Sequence, residues 1–179
     1  MRELTVWRAA AGLEGGVTNA SSAVIEESDA NIGAIVMGRN MFGGGPGPWG
    51  DGSWRGWWGE DPPFHLPVFV ITHHPRERLE MQGGTSFTFV TGGIEEALER
   101  AREAAGGEDV AVSGGAGLAR QYLAAGLVDE LTLHLVPALL RGGTRLFDDA
   151  SRSPARFEQV RAIEAPGVTH LTYRVARRG

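Results

Sequence analysis

The sequence predicts an α/β fold, a mixed and mostly parallel sheet flanked by helices, with an antiparallel hairpin at its C-terminal end. Three observations carry this reading. Short β-branched and aromatic runs alternate with stripes of helical period from Ser21 to Ala125. The stretch Phe157 to Arg177 breaks at Ala165-Pro166-Gly167-Val168, a hairpin signal. Finally, 179 residues, 42% hydrophobic and 22% charged, suffice for one domain with a real core, spanning 1–179, and are few for two.

Taken in order, Met1 to Leu13 reads as a helix with Leu4, Trp7 and Ala11 on one side. Ser21 to Asn31 reads as the next helix, with Asn19, Ser21 or Ser22 as its cap. Ala34-Ile35-Val36-Met37 is a buried strand, after which Gly38-Arg39-Asn40-Met41-Phe42 turns the chain. From Gly43 to Pro67 there is no period, only Gly, Pro and four Trp residues at 49, 54, 57 and 58, and a long loop is expected. Val68 to Thr72 and Ser86 to Thr91 are strands by their β-branched and aromatic content. Ile94, Ala97, Leu98, Ala101 and Ala105 form a helical stripe. Asp109 to Val112 is a strand running into Ser113-Gly114-Gly115-Ala116-Gly117, and Leu118 to Ala125 is a helix closed by Gly126. Leu131, Leu133 and Leu135 alternate with Thr132, His134 and Val136 before Pro137 ends the strand.

Composition excludes several classes of chemistry. The chain has no cysteine, which removes disulfides, thiolate nucleophiles and thiolate metal sites. It has no lysine, so all 17 basic residues are arginine, and Schiff-base and Walker-A chemistry are removed as well. A net charge of -5 argues against a nucleic-acid partner while leaving room for an arginine cluster around a small anion. No apolar run reaches the ~18 residues of a spanning helix, and Glu3, Arg8 and Glu14 interrupt any signal-peptide pattern. A cytoplasmic protein without a membrane partner is expected.

Five features are candidates for chemistry, each with a plainer alternative. Gly38-Arg39 follows a buried strand and opens a helical turn, an arrangement that suits a phosphate or an ordinary surface arginine. Val112-Ser113-Gly114-Gly115-Ala116-Gly117 opens a helix, either to let backbone approach a pyrophosphate or to pack the helix closely; it is not a Rossmann fingerprint, because Arg120 takes the third glycine slot. Thr72-His73-His74-Pro75-Arg76 lies past the end of a strand, where α/β sheets place ligands, or is a solvated turn. Two adjacent histidines point apart and no metal site is expected from them. His134, mid-strand, either lines a cleft or is a packed, hydrogen-bonded side chain. The tryptophans of the loop pack it onto the body, wall a planar ligand or form an oligomer interface.

In this order the segments resemble the dihydrofolate reductase superfamily. Ala34 to Phe42 looks like its strand-Gly-Arg turn, Val112-Ser113-Gly114-Gly115 like its second cofactor turn, and Thr72-His73 like its adenosine-side loop. Leu127-Val128-Asp129-Glu130-Leu131 through Val136-Pro137 to Gly142-Gly143 and Leu146-Phe147 is similar to the reductase domain of bacterial riboflavin biosynthesis. The resemblance implies a dihydrofolate reductase-like fold and an NADPH-dependent reductase acting on a C=N or C=O group of a small planar substrate, pterin-like or pyrimidine-like. It implies cofactor contacts at Gly38, Arg39, Asn40, Thr72, His73, Arg76, Gly114, Gly115, Ala116 and Gly117, and a homodimer. Trp49, Trp54, Trp57 and His134 are the expected substrate-side residues, the tryptophans as a lid.

Three departures from the family stand out. Its first strand has no counterpart in Met1 to Leu13, as if the chain began late. The acidic residue that dihydrofolate reductases carry on the helix before the Gly-Arg turn falls near Ser22, with Glu26 and Glu27 a turn on. Arg141 stands where the riboflavin-type reductases have glycine, and no zinc-dependent deaminase half is expected, because its zinc site would need cysteines. The rival expectations are a non-catalytic nucleotide-binding protein that kept both phosphate turns, and a docking module whose tryptophans meet a partner.

Overall fold

A computed structural model of the chain describes residues 4, 5, 8, 13–139, 142–147 and 156–176. They fall into two compact units, one of residues 31–119 and one formed by residues 1–30 together with 120–179.

The 31–119 unit is a five-stranded sheet in which β1 (Ile32–Gly38) is an interior strand. Its other strands are β2 (Pro67–Ile71), β3 (Leu79–Glu80), β4 (Ser86–Val90) and β5 (Asp109–Val112), in the order β3-β4-β2-β1-β5. β1 pairs in parallel with β2 and β5, and β2 in parallel with β4; only the two-residue edge strand β3 runs antiparallel. Ile35, Met37, Phe42, Val68, Val70, Met81, Phe87 and Phe89 form one buried cluster on this sheet. Ala34, Val36 and Phe69 are buried too, so β1 and β2 are covered on both faces, as their unbroken apolar runs require. Helix α3 (Gly93–Ala105) packs on β1 and β2 through the expected stripe of Ala97, Leu98, Ala101 and Ala105. It ends at Gly106 in the left-handed region, the usual glycine stop. Arg39–Phe42 forms a short helical turn, α2. Helix α4 (Ala116–Ala125) starts two residues earlier than its apolar pattern indicated. β3 and the 3-10 turn at Gln82–Gly84 were not expected, being too short to show a period.

In the other unit β6 (Glu130–Leu135), β8 (Val168–Val175) and β7 (Phe157–Ala165) form an antiparallel sheet in the order β6-β8-β7. The hairpin turns at Pro166-Gly167 as expected, with Gly167 at φ +74°, a conformation that glycine adopts without strain. Helix α1 (Ala20–Asp29) lies against β7. Of the candidate caps Asn19 is the one used: its side chain accepts from Ser21 N–H at 2.8 Å, and Ser22 Oγ reaches back to Asn19 N–H at 3.3 Å. Of the helix expected over Met1 to Leu13, Arg8 N–H donates to the Leu4 carbonyl at 3.0 Å, a helical spacing, and Leu4 bridges Val17 in parallel. Trp7 and Ala11 lie outside the described residues, as does Arg141. Among the described residues no helix is long and apolar enough to cross a membrane.

Candidate functional site

From β1 the chain moves to β2 on one side, and later returns through α3 to β5 on the other. The crevice beyond the carboxyl ends of β1 and β5 is therefore a switch point of a parallel sheet, where such sheets hold ligands. Both glycine turns meet there. Gly38 N–H donates to the Gly114 carbonyl at 2.9 Å, and Ser113 N–H to the Val36 carbonyl at 2.9 Å. The Gly114-Gly115 peptide is cis, with Gly114 at φ +88°, and a methyl group placed on either glycine would meet no atom within 4 Å. The backbone here thus faces open space that a ligand can approach closely. Helix α4 begins at Ala116, directing the positive end of its peptide dipoles at this turn.

Arginines gather beyond the ends of β1 and β2. Arg39 lies over the Trp49 ring, its guanidinium carbon 3.0 Å from the centroid, and its Nη2 donates to the loop carbonyls of Gly44, Gly45 and Gly47 at 3.4, 3.0 and 3.5 Å. Arg76 faces Trp49 at 4.8 Å and Phe89 at 5.2 Å, and donates to the Gly52 carbonyl at 2.7 Å. Arg55 donates to the Glu80 carbonyl at 3.0 Å and faces the Glu60 carboxylate at 3.7 Å. Nε and Nη1 of Arg39, Nη1 of Arg76 and Nε of Arg55 are buried without a hydrogen-bond partner. Loss of water, then the charge of Arg76, holds Arg39 below the ordinary arginine range. Arg76 is lowered in the same way, by loss of water and then by Arg55. Buried donors without acceptors are costly, and so are like charges set close together. An anion resolves both.

The remaining candidates fall around this cluster. Thr72 is buried and its hydroxyl accepts from His74 N–H at 3.1 Å, while the His74 carbonyl accepts from the Trp49 indole at 2.8 Å. His73 and Asn40 are exposed, as is Gly117, one residue into α4. Trp49, Trp54 and Trp58 pack against the aromatic cluster, Trp54 donating to the Phe42 carbonyl at 3.1 Å. Trp57 stands edge-on to Trp54 and remains 67% exposed. The structure thus joins Trp49 to Arg39 and Arg76 and sets Trp49, Trp54 and Trp58 onto the core. His134 belongs to the other unit, where its Nδ1 meets His170 Nδ1 at 2.7 Å. Sequence reasoning passed over Arg55 and His170. Neither sits in a motif, and each has a partner far along the chain, Glu80 for Arg55 and His134 for His170. Among the described residues no group of three or more His, Asp or Glu side chains could hold a metal ion.

Comparison with known proteins gives a family and a fold. The RibD C-terminal domain family matches residues 8–170. A protein of Shewanella sp. PV-4 assigned to riboflavin biosynthesis superposes with a TM-score of 0.65 at 23% identity, over 89% of this chain and 81% of that one. RibD of Acinetobacter baumannii superposes at 0.57 with 17% identity; 98% of this chain is covered, but only 55% of that longer protein. Dihydrofolate reductase of Enterococcus faecalis, solved in complex with NADP(H), superposes at 0.55 with 17% identity, over 90% and 85% of the two chains. Among curated proteins none matches significantly by sequence. The fold is of reductase type.

Proposed function

Because the chain belongs to the RibD C-terminal domain family, we propose that it is an NADPH-dependent oxidoreductase that delivers hydride to a C=N or C=O carbon of a small planar substrate, pterin-like or pyrimidine-like. The observation that carries this reading is the set of buried, unpartnered guanidinium N–H groups on Arg39 and Arg76, beside an open diglycine turn. These are the donors a phosphorylated dinucleotide calls for. Arg39 and Arg76, supported by Arg55, would hold the 2′-phosphate. Gly38 and the Gly114 to Gly117 turn would lie along the pyrophosphate, and Asn40, Thr72 and His73 would border the adenosine.

The bound nicotinamide supplies the hydride; the chain supplies orientation and exclusion of water. Trp49 connects the two tasks, since its ring carries both arginines while its indole N–H is anchored on the His74 carbonyl. Trp54 and Trp57, edge-on to each other, continue the aromatic surface toward the substrate. On the same reading the protein works in the cytoplasm as a homodimer, without nucleic acid or membrane. Leu135, Val136, Leu139, Phe147, Phe157 and Val160 are all exposed, and a second copy would cover them.

Fluorescence titration of NADPH and NADH against wild type and Arg39→Gln tests the assignment. A charged hydrogen bond contributes ~1.5–3 kcal/mol, so at least a roughly tenfold preference for NADPH is expected, most of it lost in the variant. Equal affinities in the wild type would make Arg39 an anchor of the loop and nothing more.

A further inference from the structure

His170 is 2% exposed and has both ring nitrogens engaged. Its Nε2 lies 2.9 Å from the buried Ser21 hydroxyl of α1, and its Nδ1 lies 2.7 Å from Nδ1 of His134, the residue opposite it on β6. His134 is exposed. One chain of hydrogen bonds therefore crosses from α1 through β8 to β6, entirely within one unit.

Counting protons shows what this chain tolerates. A neutral imidazole has one N–H and one bare nitrogen, so two facing Nδ1 atoms bond only if a single proton lies between them. With both rings neutral the chain closes in either direction. His134 can donate to His170 and His170 to Ser21, or Ser21 to His170 and His170 to His134. A first added proton has a place on Nε2 of the exposed His134, which then donates through Nδ1 to a neutral His170. A second proton has none, because it would set two N–H groups and two cations against each other across 2.7 Å.

We infer that Ser21, His170 and His134 form an acid-sensitive clasp that holds α1 on the three-stranded sheet while the two imidazoles share one proton, and that opens when a second arrives. The charged groups on this side of the sheet do not relieve the conflict. Arg161 pairs with Glu27 of α1 at 2.5 Å, Arg174 with Glu158 at 3.5 Å, and Glu130 stands opposite Arg174 in register. Loss of water and the facing His170 hold His134 below the ordinary histidine range, and burial does the same for His170. Lowered values mean that the unfolded chain takes up protons first. The clasp is therefore at full strength above the unfolded value of about 6.5, and weakens as the pH falls from there toward the folded values.

Hydrogen exchange of the α1 amides between about pH 7.5 and 5, corrected for intrinsic rates, tests this beside 15N NMR of the histidines. In the wild type α1 protection should be lost progressively as the pH falls across this range. His134 should take up the first proton with α1 still closed on the sheet, and the larger loss of protection should accompany the second. His134→Gln should flatten the profile, because an amide carbonyl accepts from His170 Nδ1–H in either charge state. His170→Gln should flatten it as well, whatever its baseline stability. A flat wild-type profile, an equal slope in wild type and His134→Gln, or two histidines titrating independently would each overturn the clasp.

Discussion

Arg39 and Trp49 stack at 3.0 Å, and the same indole faces a second cation, Arg76, at 4.8 Å. Each cation gains ~0.5–2 kcal/mol from the ring, which offsets part of their mutual repulsion and leaves the rest for a ligand to relieve.

A 2′-phosphate should therefore be recognised apart from the nicotinamide. Adenosine 2′,5′-bisphosphate is expected to raise the melting temperature, by ~2.7 kcal/mol of stability at a hundred times its dissociation constant, and ADP to do so at much higher concentration. Arg76→Gln should abolish the difference between them. Thermal melts with both nucleotides give the answer.

Trp49 and Trp57 should separate stability from turnover. Trp49 packs on Phe42 and Phe89 with ring centroids at 5.7 and 4.8 Å, and Trp49→Ala is expected to cost about 3 kcal/mol, the lower end for a large aromatic. Trp57, mostly exposed, should change stability by less than ~1 kcal/mol when replaced by Ala. Oxidation of NADPH by a pterin or pyrimidine acceptor should still slow in Trp57→Ala, with cofactor affinity retained. Denaturant melts and steady-state rates read the two effects.

Two adjacent serines should respond differently. Ser21→Ala leaves the buried His170 Nε2 without a partner and is expected to cost ~1–3 kcal/mol. Ser22→Ala removes only the return bond of the capping box, with an expected cost near ~0.5–1 kcal/mol. Urea unfolding of both variants at neutral pH ranks them.

Light scattering at micromolar concentration should report a dimer. Phe157→Glu, placing a charge at an exposed apolar position of β7, should give a monomer with an unchanged circular dichroism spectrum. A monomeric wild type would remove the homodimer.

Much of the fold could be read from local signals, because β1 and β2 are continuous apolar runs, β4 alternates around Phe87 and Phe89, and α3 carries a clean stripe. The glycine turns, Arg39 and Arg76 were legible for the same reason, being placed at strand ends by chain order alone. What escaped depends on distant partners. Arg55 has meaning only beside Glu80 and Arg76, and β3 only against β4. His134 showed a polar side chain on an alternating strand, but its companion His170 lies 36 residues on, beyond any local period. The tryptophan loop displayed its composition and concealed its destination, since aromatics that cover a core and aromatics that cover a ligand look alike in a sequence.

The division of the chain also sets an order of assembly. Residues 31–119 are continuous, and the ribosome can release everything that sheet needs before the C-terminal third is made. Helix α1 has no such freedom. Its Ser21 is synthesised 149 residues before His170, which at ~5–20 residues per second is a delay of roughly 7–30 s. During that time the face of α1 that carries Ser21, Ser22 and Val24 waits without the strands it packs on.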